Sequence, residues 1–191
     1  MEGKNFNKDL RMAVFASLFT ALIIVGAYIS FDIGGAPFVL SNLFILMAGT
    51  LLGIKWGVIS VSLYVLLGAA GLPVFSRGGA GISHILGPTG GFIIGFLIAV
   101  IVTAIICSKN NKTGKSKSKV FTMILDFTAM LSGLIVMYLI GLPWFGFTKG
   151  MGISQVLGIF GIFIVFDIIK IVIALFIIPF LRPIINKESS Q

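Results

Sequence analysis

The chain has 191 residues, of which 58% are apolar and only 10% are charged, with a mean hydropathy of +1.13. A soluble domain of this size cannot hide so much apolar surface, and at about 20 residues per span no room is left for a separate catalytic domain, so the class is integral membrane protein. The formal net charge of +8 sits mostly between and beyond the apolar runs; that is the mark of a cytoplasmic membrane face, and no folded basic surface is left to bind nucleic acid.

The basic N-terminal segment MEGKNFNKDLR leads into the first span, expected over 10–31. The span is too long for a signal-peptide core and has no clear A-x-A site, so it reads as a retained helix. Along it Ala13, Ser17 and Ala21 recur every four residues. Such a small-residue face permits close helix contact, either inside the bundle or with another membrane protein. A short second span follows over 38–52 and carries Asn42, an amide that in lipid wants hydrogen bonds to helices or to a ligand. The third span covers 56–72.

The segment 71–91 reads GLPVFSRGGAGISHILGPTGG; seven of its 21 residues are Gly, yet it keeps Leu72, Val74, Phe75, Ile82, Ile85 and Leu86. A plain solvent loop would be polar. An apolar, Gly-rich one is expected to fold down onto the bundle, as lids and binding loops do. It contains no G-x-x-x-x-G-K-[ST] and no dinucleotide pattern, which excludes a nucleotide site. Its end, LGPTGG, is turn chemistry at the start of the fourth span. It either caps that helix or presents backbone N–H groups of Thr89 and Gly90 to a ligand. His84 is the sole histidine and reads as a solvated or loop-packing residue; one His and one distant Cys make no metal site.

The fourth span, 91–107, ends at Cys107, a lone thiol that reads as a packing residue. The tract KNNKTGKSKSK then gives a polar linker before the fifth span, 120–142, in which Asp126 has no assigned role. The sixth span covers 153–181. The fold class is thus all-α: one membrane domain, 1–191, of six helices, because a continuous apolar run in lipid must satisfy its backbone internally. Eleven Lys and Arg fall on the segments that share a side with the two ends, against Arg77 and Lys149 on the other. Both termini are therefore cytoplasmic and the Gly-rich loop is external, over a cavity.

Asp167 and Lys170 are the only ionisable side chains in the run 153–181. A charge at bilayer depth costs about 2.5–3.5 kcal/mol on insertion scales, and three residues apart on a helix is one face. Two arrangements satisfy this. The residues form an ion pair that neutralises itself against a neighbouring helix, or both line a cavity and meet a small solute carrying N–H donors and an anionic or carbonyl group. Arg77, in the loop above, is a second cation for a carboxylate or a solvated charge. No Ser, Cys or His arrangement supports a nucleophile, so no enzyme is expected, and neither a metal nor a cofactor. A self-sufficient ion-coupled carrier with Asp167 as proton site, and a non-transporting scaffold with a structural pair, are the alternative functions on residues alone.

The segments SNLFILMAGTLLGIKWGVISVSLYVLLG, GLPVFSRGGAGISHILGPTGGFIIGF and FDIIKIVIA, in that order, closely resemble the BioY proteins, the biotin-specific substrate-binding components of energy-coupling-factor (ECF) transporters. The resemblance implies a six-helix bundle that captures biotin from outside in a cavity covered by the loop after the third helix. It implies that Asp167 and Lys170 bind ligand, with Phe75, Ser76 and Arg77 as further contacts, and that the strip at Ala13, Ser17 and Ala21 docks on a membrane coupling subunit. Energy is then supplied by two cytoplasmic ATPase subunits, and the protein resides in the cell membrane of a bacterium.

Overall fold

The computed structural model describes residues 2–33, 36–111 and 118–186. Lys112, Lys115, Lys117 and Lys187 of the charge pattern lie outside the described residues. Helix α1 (Glu2–Tyr28) buries Ala16, Phe19, Ile23 and Ala27, which recur at helical spacing, and turns Val14, Leu18 and Val25 outward. It ends three residues before the expected span does. The chain then forms two strands, β1 (Ser30–Ile33) and β2 (Ala36–Val39), paired antiparallel with Phe31 opposite Phe38 and Asp32 opposite Pro37. The expected all-α fold is therefore interrupted by a short β-hairpin, which pairs backbone groups that would otherwise be left open between helices.

The expected second and third spans are the two legs of α2 (Ser41–Ala69), which is broken at Gly53, whose φ of 71° and ψ of −169° lie far from helical values. The break reverses the chain. A Cβ at Gly57 would lie 3.0 Å from the Ala48 carbonyl oxygen, which a straight helix would hold about 13 Å away at 1.5 Å per residue. The two ends agree: Gly26, near the top of α1, abuts Ser41, whereas Asp9 near its start pairs with Lys55 at 3.5 Å. Among the described residues, five helices are long and apolar enough to cross a membrane, and the second of them doubles back, giving six legs.

Segment 71–89 holds a 3-10 turn (Ser76–Gly78) and helix α3 (Gly81–Ile85). It is pinned on the bundle by the Trp144 indole N–H to the Gly87 carbonyl at 2.9 Å, by a hydrogen bond from Tyr28 to the Pro73 carbonyl, and by buried Val74 and Phe75. Gly68 leaves room for the Phe75 ring, which lies within 2.1–2.5 Å of where a Cβ would stand. Helices α4 (Gly90–Asn111), α5 (Lys119–Lys149) and α6 (Ile153–Asn186) complete the bundle. Close approach of α2, α4 and α5 uses small residues, as membrane helices do: a Cβ at Gly49 would meet the Val100 carbonyl at 2.9 Å and one at Gly133 the Thr103 hydroxyl at 2.2 Å. At the end away from the loop, buried Asp126 accepts from Arg182 of α6 at 2.8 Å, so this carboxylate is half of an inter-helix clasp.

Candidate functional site

The polar floor of the bundle's loop end is built on α6. Asp167 and Lys170 are 3% and 8% exposed and face inward. The Lys170 ammonium donates to Asp167 Oδ1 at 2.7 Å, to the Val39 carbonyl at 2.7 Å and to Asn42 Oδ1 at 3.3 Å, and it stands 3.7 Å from the Phe38 ring centroid. Three protons thus meet three acceptors, with an aromatic face beside them, which is what an ammonium taken out of water requires. The other carboxylate oxygen, Asp167 Oδ2, accepts from the Tyr138 hydroxyl of α5 at 2.7 Å. Asn42 Oδ1 also accepts from the Leu43 amide at 3.0 Å. Its amide nitrogen makes no hydrogen bond among the described residues, leaving a buried donor beside the cavity.

Above this floor lies a cavity of about 70 Å³. Aromatic rings form its walls. Phe38 of β2 stacks on Phe163 of α6 with centroids 5.5 Å apart and planes 8° apart. Phe75 stacks on His84 at 5.2 Å and meets Tyr64 edge-on at 5.4 Å. Phe92, Tyr138 and Phe160 close another side. Burial lowers the His84 pKa from its ordinary value, and its ring also lies 3.4 Å from the Thr89 hydroxyl. Apolar walls over a few convergent polar groups are the usual make-up of a small-molecule site. Such sites enclose about 300–1,000 Å³, so part of the wall must move before a drug-sized ligand fits.

Of the residues expected from sequence, Asp167, Asn42, Phe75, Ser76 and Thr89 line this cavity, and Lys170 is hydrogen-bonded to three of its lining residues, Val39, Asn42 and Asp167. Arg77 does not line it. Its guanidinium pairs with Asp32 of β1, and it is the one non-Gly residue with positive φ among those described, at 60°. The pair straps the loop to the hairpin. Gly90 does not line the cavity either: a Cβ there would fall 1.6 Å from the Ile85 carbonyl oxygen, so its smallness serves the contact of α3 with α4. On α1, Ser17 and Ala21 are exposed and Ala13 is half-buried, with the Ser17 hydroxyl bonded to its own helix at the Ala13 carbonyl.

Sequence reasoning missed Tyr138, His84 and the hairpin's Phe38. Tyr138 carried a signal, since a phenol inside an apolar span needs a hydrogen-bond partner. Phe38 carried none, because it reaches the cavity only through the hairpin folded over it, whereas His84 shared the signal of its apolar, Gly-rich loop.

The profile of the BioY family matches residues 2–187. A probable biotin transporter BioY of Pyrococcus horikoshii is 41% identical over 161 residues, covering 84% of this chain and 90% of the relative. The biotin transporter BioY of Thermotoga maritima is 36% identical over 170 residues, covering 86% and 92%. Among solved structures, the crystal structure of the S-component for biotin from an ECF-type ABC transporter superposes with a TM-score of 0.81 at 30% identity, over 92% of this chain and 93% of that one.

Proposed function

The chain belongs to the BioY family, and from that membership we propose that it is the multi-pass membrane component that captures biotin for an ECF-type transporter. The observation that carries the proposal is the match to an S-component for biotin over nearly the whole of both chains, at an identity high enough to extend beyond fold. It is a transport subunit and not an enzyme, as its relatives are named for transport.

The chemistry of the cavity supports the same reading. Biotin has two ureido N–H donors, a carbonyl, an apolar thiophane ring and a carboxylate. Asp167 is the acceptor for N–H donors. Lys170 and the free Asn42 amide are donors for carbonyl or carboxylate oxygen. The aromatic walls suit the ring. Both the β1–β2 hairpin and segment 71–89 act as the cover, strapped together by Arg77 and Asp32. Ligand displaces Lys170 from the Val39 carbonyl and the cover lifts to make room.

The placement of Lys and Arg supports a topology with both termini in the cytoplasm and the cover outside, and the likeness to a relative from Thermotoga maritima supports residence in the cell membrane of a bacterium. The sequence holds no nucleotide-binding loop. A membrane coupling subunit and two cytoplasmic ATPases therefore supply the energy, and the open face of α1 at Ala13, Ser17 and Ala21 is the docking strip for the coupling subunit.

The test is equilibrium binding of biotin to the purified chain and to Asp167→Asn and Lys170→Ala. Each lost charged hydrogen bond is expected to weaken binding by about 1.5–3 kcal/mol. A parent protein that does not bind biotin would overturn the function. Variants that bind as tightly as the parent would overturn the site.

A further inference from the structure

A second and larger hollow, about 570 Å³, opens between α5 and α6 on the outside of the bundle. We propose that it seats an acyl chain of an anionic phospholipid whose headgroup is held at Lys149. The lining comes from two membrane-crossing helices and the turn that joins them, and all of it is apolar except Tyr138, whose hydroxyl is committed to Asp167 on the other side. Water gains no hydrogen-bond partner in such a space, so a hydrocarbon fills it.

The shape follows from the sequence. Pro143 lines the hollow and removes the amide that would bond the Leu139 carbonyl. The helices are joined by Arg182 to Asp126 at one end, by Tyr138 to Asp167 midway and by the Phe145 and Phe160 rings, 5.1 Å apart, nearer the turn. Beyond these ties, Phe147 and Ile153 stand 88% and 81% exposed at the outer mouth.

The charge at that mouth selects the headgroup. Lys149 lies in the last turn of α5, between the lining residues Phe147 and Met151. It is exposed, and it has no ion-pair partner among the described residues. Gly150 then turns the chain in the left-handed conformation, at φ 64°, so the ammonium sits at the rim of the membrane-crossing part. An apolar groove with one free cation at its rim is complementary to a chain with an anionic head. This inference does not depend on the cargo proposed for the inner cavity.

The experiment is native mass spectrometry of the full chain released from nanodiscs of phosphatidylglycerol or of phosphatidylcholine. One phosphatidylglycerol per chain is expected to survive release, with little phosphatidylcholine. Leu139→Trp, an exposed residue of the lining, is expected to lose it, whereas Phe176→Trp, exposed on α6 outside the groove, is expected to keep it. Lys149→Gln should weaken retention about fivefold, the equivalent of roughly 1 kcal/mol per basic residue near a membrane surface. Equal retention of the two lipids, or of lipid by Leu139→Trp and the parent, would overturn the proposal. So would a parent dimer that Leu139→Trp breaks without loss of lipid, because a second copy would then fill the groove.

Discussion

Tyr138 on α5 and Asp167 on α6 share a hydrogen bond of 2.7 Å, and the tyrosine ring belongs to the linings of both hollows. Its hydroxyl fixes one carboxylate oxygen while Lys170 holds the other. Neither oxygen can swing without breaking a charge-assisted bond, so the carboxylate is presented in one orientation.

Tyr138→Phe keeps the ring and removes only the donor. A charge-assisted hydrogen bond is worth about 1.5–3 kcal/mol, so biotin affinity is expected to fall by about ten- to a hundredfold. Titration calorimetry on the purified variant checks this. Affinity equal to that of the parent would mean that ligand binding does not depend on this orientation.

Lys170→Met leaves Asp167 buried with its cation gone, and breaking a buried pair from one side costs about 3–5 kcal/mol. The double variant Asp167→Asn, Lys170→Met removes both charges and is expected to recover most of the thermal stability while still failing to bind biotin. Melting curves in detergent, with binding measured on the same samples, separate the pair's structural contribution from its role at the ligand.

Arg77→Ala and Asp32→Ala each open the strap between loop and hairpin. Both partners are about half exposed, so the loss in stability is expected to stay below about 1 kcal/mol. The two variants should raise the biotin dissociation rate to a similar degree, and the double variant no further. A much larger effect of Arg77→Ala alone would mark Arg77 as a direct ligand contact.

His84 gives a pH dependence of defined sign. Burial lowers its pKa, so the unfolded chain binds the proton more tightly than the folded one. Its contribution is complete above the ordinary histidine value of about 6.5 and is lost as pH falls through the lowered folded value. Thermal stability of the parent is therefore expected to drop on acidification below about 6.5. His84→Gln should flatten that part of the profile. A profile that the substitution leaves unchanged would place the titration elsewhere.

The helical legs and the polar pair were legible because their physics is local. Lipid forces apolar runs into helices, and two charges three residues apart cannot face different ways. The chain reversal at Gly53 was legible as two spans. The hairpin was not, since 30–39 lacks the alternation that marks a strand, and its form depends on what packs around it. The pairing of Arg77 with Asp32 was hidden for a related reason. A cation above a carboxylate-binding hollow and a cation paired to Asp32 look identical until the hairpin is folded. Tyr138 was the readable residue that went unread.

The doubled-back α2 also bears on the bilayer. Its first leg, 41–52, reaches about 18 Å at 1.5 Å per residue, well short of the roughly 30 Å hydrocarbon core, whereas α6 with 34 residues reaches about 50 Å. Every residue of the short leg but Phe44 is buried, so neighbouring helices rather than lipid surround it, while the long helix must lean to fit. The mismatch therefore falls on α6, and its lean biases how the whole body sits in the membrane before any partner touches it.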